Sequence, residues 1–193
     1  KRVIYSGTSS AYGLKHTPPL KEEMTRDCLN PYSVTKVAAE DLCRMYYTLW
    51  GLETVILRYF NVFGERQPIK GQYAPVVGIF LRQKDSGKPL TIVGDGKQRR
   101  DFTHVKDVVN ANLKAATCEK KEALGEIFNV GTSTSSSVIN LAKMISDNIT
   151  FIPQREGEAR ETLADLSKIK ETLNWNPTIT VEEWLLKELG KNE

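Results

Sequence analysis

The chain has 193 residues, 40% of them hydrophobic and 26% charged, with a formal net charge of +3. That length supports one sizeable core or two small ones, and the composition is globular, which excludes a disordered, fibrous or membrane-embedded chain. Three widely spaced cysteines and two histidines provide neither a disulfide framework nor a transition-metal site, and so mild a charge excludes a nucleic-acid-binding class.

In chain order, Val3-Ile4-Tyr5 reads as a buried strand over 2–7, running into the polar stretch Ser6-Gly7-Thr8-Ser9-Ser10. In open α/β sheets the site lies beyond the carboxyl ends of the strands, where this stretch falls. A loop with Pro18-Pro19 occupies 15–29. Asn30 is a strong N-cap and Pro31 suits the first helical position, so a helix over 31–50 is expected, closed by Gly51.

Tyr32 sits in the first turn of that helix and Lys36 follows one turn later on the same face. Val34, Ala38, Leu42, Met45 and Leu49 form an apolar stripe roughly 200° around the axis, and it is expected to face the core. The Tyr32/Lys36 pair then lies on a separate face. An ammonium one turn away and the positive end of the helix dipole both favour a phenolate, which suits a general base. A Tyr-x-x-x-Lys spacing by itself is equally that of an ordinary surface pair.

A second strand is expected over 54–63, which makes strand, helix and strand a βαβ unit. A loop over 64–73, a helix over 74–84, a strand over 90–93 and the turn Gly94-Asp95-Gly96 follow. Next come a helix over 105–117, a short strand over 127–131 and a Ser/Thr-rich loop over 132–137. Val138, Leu141, Ala142, Ile145 and Ile149 share one helical stripe. Phe151-Ile152-Pro153 is extended, and 167–173 is helical. A capping box at Thr180-Val181-Glu182-Glu183 opens the last helix, which carries Trp184 and Leu185.

Together these motifs resemble the extended short-chain dehydrogenase/reductases. Thr8, Tyr32 and Lys36 are similar to the Ser/Thr-Tyr-Lys triad of that family. Arg58-Tyr59-Phe60-Asn61-Val62-Phe63-Gly64, Gly94-Asp95-Gly96, Arg100-Asp101-Phe102-Thr103-His104-Val105, Asn129-Val130-Gly131 and Arg155-Glu156-Gly157-Glu158 look like its further signatures, in order. Within the family the chain looks most like the NAD-dependent nucleotide-sugar 4-epimerases, such as UDP-glucose or UDP-N-acetylglucosamine 4-epimerase.

The resemblance implies an α/β fold: the C-terminal part of a Rossmann-like doubly wound parallel sheet with a smaller substrate-binding lobe. Residues 1–64 and about 103–131 would belong to the sheet domain, and about 65–102 and 132–193 to the lobe. It implies NAD as cofactor, held by Tyr32, Lys36 and Tyr59, and a UDP-sugar as substrate. Tyr32 would be the base for the sugar 4-hydroxyl, Lys36 would hold the nicotinamide ribose, and Thr8 would hydrogen-bond the same hydroxyl. Asn61 would donate to the phosphate, Arg100 and Arg155 would clamp the diphosphate, and Glu158 would accept from the ribose. Other readings stay open: Thr8 as a turn cap, Tyr59 as core, Arg99 as a solvated neighbour, Glu158 salt-bridged to Arg160.

Ser9 and Ser10 stand where the family's dehydratases and decarboxylases carry acids, which favours an epimerase or a simple 4-keto reductase. No G-x-x-G-x-x-G phosphate loop occurs in the chain. The resemblance therefore implies a fragment that is inactive without an N-terminal segment, or a non-catalytic nucleotide-sugar-binding remnant. A homo-oligomer or that missing segment is the expected protein partner, with no nucleic acid, membrane or metal. A cytoplasmic setting is the default for such a cysteine usage.

Overall fold

The computed structural model describes residues 1–69, 74–154 and 157–190. Strand β1 (Arg2–Thr8) opens the chain and passes straight into a 3-10 turn over Ser9–Tyr12. Helix α1 (Pro31–Trp50) begins and ends on local chemistry. Asn30 Oδ1 accepts from Ser33 N at 2.9 Å, Pro31 fills the first position, and Gly51 closes the helix at φ 67°. Strand β2 (Glu53–Tyr59) then runs parallel to β1, with Gly7 beside Arg58 and Thr8 beside Tyr59.

The apolar run expected as one strand over 54–63 breaks at Phe60-Asn61. Phe60 N still donates to Val130 O, but β3 (Val62–Phe63) turns away to pair with Thr103 and His104. Helix α2 (Val76–Asp85), β4 (Leu90–Val93), β5 (Arg99–Arg100) and β6 (Thr103–His104) lead into α3 (Val105–Thr117). Strand β7 (Ile127–Val130) joins the far side of β2, which makes a parallel sheet of order β1-β2-β7. β8 (Ser136–Ser137) pairs antiparallel with β5 and leads into α4 (Val138–Ile145).

Ile149, expected on the α4 stripe, instead opens β9 (Ile149–Ile152) and pairs in parallel with Leu90. The helix stops sooner because Ser146 takes an extended conformation, with φ −163° and ψ 147°. Helices α5 (Ser167–Leu173) and α6 (Val181–Glu188) complete the chain, and the capping box at Thr180 and Glu183 is formed.

Two buried clusters organise these elements. The first gathers Val55, Leu57 and Phe60 with Val108 and Ala111 of α3, Phe128 of β7, and Ile169 and Trp175 near α5. The second gathers Phe63, Phe80, Leu90, Ile92 and Phe102 with Leu141 of α4 and Trp184 of α6. The α5 region therefore packs with the sheet, although the sequence reading placed 132–193 in the lobe.

The apolar stripe of α1 does not face the core. Val34 and Leu42 are each 53% exposed and Leu49 is 63% exposed, while Ser33, Val37 and Glu40 point inward. Helical periodicity marks the stripe but not the side that meets the sheet. Here a charge decides it: Arg58, on the α1 face of β2, is 1% exposed and requires a carboxylate, which Glu40 provides. Side chains alternate along a strand, so Leu57 and Tyr59 point to the opposite face, where α3 lies.

Candidate active site

The carboxyl ends of β1 and β2, the start of α1 and the second cluster border a cleft of about 760 Å³. Thr8, Ser9, Ser10 and Tyr32 line it from the sheet side. Phe80, Thr91, Val93 and Ile152 line it from the lobe side, with Arg100 and Glu158. A cleft of this size accepts a small-molecule ligand.

Lys36 and Tyr32 are brought together as their spacing requires. Lys36 Nζ stands 5.9 Å from the Tyr32 ring centre and donates to Ser6 O at 3.1 Å, which leaves ammonium protons for a ligand. It also sits 5.4 Å from the ring of Tyr5, a neighbour that sequence reasoning missed. Burial, and after it the Glu40 carboxylate, raise the Tyr5 pKa, so this phenol is no rival base. Tyr5 was legible only as a strand residue, because its partner comes from a helix 31 positions away.

Thr8 is buried, and its Oγ1 accepts from Ser10 N at 3.2 Å, so it caps the 3-10 turn. A hydroxyl that accepts there still has its own proton to donate into the cleft. Tyr59 lines the cleft, but its hydroxyl is anchored away from it. Oη lies 3.1 Å from Ser6 Oγ, and Asn112 on α3 meets it at 3.0 and 2.9 Å.

Asn61 also borders the cleft, yet its amide nitrogen is committed. Nδ2 donates to Asp101 O at 2.8 Å and to Thr162 Oγ1 at 3.3 Å. These bonds brace the start of β3 against Asp101 and Thr162.

Arg100 is half-buried, and burial lowers its pKa, while the Glu158 carboxylate opposes that shift. Nη1 donates to Arg99 O at 2.9 Å, and among the described residues the rest of the guanidinium fork makes no hydrogen bond. Arg99 points elsewhere: it bonds Ser135 and lies 3.4 Å from Glu161. Arg155 lies outside the described residues. Arg160 does not pair with Glu158; it grips Asp95 through two bonds of 2.8 and 3.0 Å.

Two buried acids lie behind the residues of the site. The Asp101 carboxylate accepts from Thr132 N, Thr132 Oγ1, Ser133 N and Ala164 N at 2.7 to 3.2 Å, and burial nevertheless raises its pKa. The Glu40 carboxylate bonds Arg58 Nε and Nη2 at 3.0 and 2.7 Å. Among the described residues no group of His, Cys, Asp and Glu could hold a metal, and no helix is long and apolar enough to cross a membrane.

Residues 1–131 match the family model for the NAD dependent epimerase/dehydratase family. A UDP-N-acetyl-alpha-D-glucosaminuronate decarboxylase of Bacillus cytotoxicus is 36% identical, over 96% of this chain and 61% of its own length. The UDP-glucose 4-epimerase of Thermotoga maritima, solved with UDP-glucose, is 33% identical with a TM-score of 0.90, over 99% of this chain and 63% of that one. The UDP-glucuronic acid 4-epimerase of Bacillus cereus, solved with UDP-glucuronic acid and NAD, is 33% identical with a TM-score of 0.88, over 98% and 60%. The chain thus spans about 60% of the length of the relatives it matches.

Proposed function

The chain belongs to the NAD dependent epimerase/dehydratase family, and from that footing we propose a UDP-sugar 4-epimerase activity for the protein that carries it. The observation that carries this reading is that Tyr32 and Thr8 line one cleft together with Arg100, while Lys36 Nζ stands 5.9 Å from the Tyr32 ring centre. An anionic ligand with a hydroxyl to deprotonate answers both halves of that arrangement. The residues present also fit the nicotinamide-ribose end of NAD, because among the described residues Lys36 Nζ uses one proton, on Ser6 O, of the three it can donate.

Bound NAD would supply the hydride acceptor and donor for carbon 4 of the sugar. The Tyr32 phenolate accepts the proton of the 4-hydroxyl as that carbon is oxidised, and returns it when the keto sugar is reduced on its other face. Lys36 keeps positive charge beside the phenolate and donates to the cofactor ribose. Thr8 donates a hydrogen bond to the sugar oxygen and steadies it as charge develops. Arg100 holds the diphosphate with its open fork, so the nucleotide stays bound while the sugar turns.

Ser9 and Ser10 border the cleft where elimination of water requires an acid, which supports epimerisation over dehydration. The test uses Tyr32→Phe in the NAD-loaded protein. Turnover of UDP-glucose to its 4-epimer should fall by about 10²–10⁴, while calorimetry shows UDP bound as before. Near-parental turnover would refute Tyr32 as the base. Net NADH consumption by the parent would identify a 4-keto reductase instead. A reducing, cytoplasmic setting completes the proposal, in keeping with three free cysteines among the described residues.

A further inference from the structure

Helix α1 carries the proposed base, yet little apolar burial sets its height and rotation on the sheet. Its inward row is Ser33, Val37 and Glu40, and the large apolar side chains lie on the outer face. The contact that replaces apolar packing is ionic. Glu40 is 0% and Arg58 1% exposed, joined by bonds of 3.0 and 2.7 Å in a fork-to-fork pair.

This pair touches the three elements that carry Thr8, Tyr32, Lys36 and Tyr59: β1, α1 and β2. Glu40 follows Lys36 by one turn and Tyr32 by two on the same helix. A Cβ at Gly7 would come within 2.9 Å of Glu40 Oε1 and 3.4 Å of Arg58 Cγ, so the carboxylate rests on β1 immediately before Thr8. Arg58 immediately precedes Tyr59 in β2 and lies beside Gly7 and Asn129 in register. Its guanidinium carbon stands 4.8 Å from the Tyr12 ring centre, and Tyr12 Oη donates to Asn129 Oδ1 at 2.6 Å. A buried ion pair adds little stability over apolar residues of the same volume, whereas its geometry is narrowly directional.

We propose that Glu40 and Arg58 are positioning residues for the reaction: their bidentate pair fixes the rotation and height of α1, so that Tyr32 reaches the cleft that Thr8 lines, with Lys36 held beside its ring. The proposal rests on the reading of Tyr32 as the base. The pair touches no substrate and acts only through α1, β1 and β2.

The experiment compares the parent, Glu40→Asp, and the double variant Glu40→Met with Arg58→Met, all as NAD-loaded protein. The double variant replaces the pair with apolar volume. It should melt near the parent and bind UDP equally well, while kcat for a UDP-sugar falls at least tenfold and KM holds. Its crystal structure should show α1 displaced and Lys36 Nζ out of reach of Ser6 O. Parental kcat with Lys36 still on Ser6 O would overturn the proposal.

Should the double variant fail to fold, Glu40→Asp decides the matter, because it keeps the charge but shortens the reach by one methylene. A tenfold loss of kcat at unchanged UDP affinity, measured below its melting point, supports positioning; unchanged kcat overturns it. If the parent itself does not epimerise, or Tyr32→Phe keeps parental turnover, the functional reading fails separately. The displacement of α1 in the crystal then still tests the pair.

Discussion

Replacing Arg100 with alanine should weaken UDP binding by one to two orders of magnitude. The guanidinium is half-buried in the cleft wall, uses Nη1 on Arg99 O, and among the described residues has no further hydrogen-bond partner. Burial lowers its pKa, so the cation is held in a place that penalises its charge and gains when an anion arrives. A charge-assisted hydrogen bond is worth about 1.5–3 kcal/mol when one partner is removed. At 1.4 kcal/mol per decade, that is about a 10- to 150-fold rise in Kd.

Calorimetric titration with UDP measures it directly, and a thermal melt confirms that the variant is folded. Arg99→Ala is the control, since Arg99 is occupied by Ser135 and Glu161 outside the cleft. Arg100→Lys should fall between parent and alanine, because it keeps the charge and loses the fork. Unchanged UDP affinity in Arg100→Ala, or an equal loss in Arg99→Ala, would refute the placement of the diphosphate.

Two further outcomes concern buried positions outside the cleft lining. His104 is fully buried, and burial holds its imidazole below the ordinary value, against the pull of Glu65. A folded pKa below the unfolded 6.5 means that stability is intact above pH 6.5 and declines as pH falls beneath it, where only the unfolded ring takes a proton. Urea unfolding at pH 7.5 and 5.5 should show a larger drop for the parent than for His104→Gln; equal drops would remove His104 from the account. Gly131→Ala would set a methyl 2.5 Å from Ala164 Cβ and 2.7 Å from Asp101 Oδ2. Overpacking of this kind costs about 1–3 kcal/mol, which a melting temperature lower by several degrees would reveal and an unchanged one would contradict.

What was legible in the sequence is what neighbours along the chain decide. Asn30, Pro31 and Gly51 mark both ends of α1, because caps and a left-handed closing residue act within one turn. The Thr180 and Glu183 capping box is local in the same way. The orientation of α1 was not legible, because periodicity finds an apolar stripe and here the inward face is chosen by Arg58, on another element. Ile149 fits a helical stripe as well as a strand, and only Leu90, far back in the chain, resolves it. Of the expected site residues, Thr8, Tyr32 and Arg100 line one cleft, and Lys36 stands beside the Tyr32 ring. The commitment of the Asn61 amide to Asp101 and Thr162, and of the Tyr59 hydroxyl to Asn112, depends on partners that no local pattern announces.

The Asp101 carboxylate gathers amides from two segments about thirty residues apart and gives them one shared acceptor. Bonds that meet on one buried group break together, so the loop after β7 and the 162–164 stretch open as a single cooperative unit and not by separate fraying. Arg100 is the residue next to that knot and inherits its stiffness. Much of the conformational entropy that an arginine's backbone would lose on gripping an anion has therefore already been spent during folding, and the ligand meets a partner that stands ready.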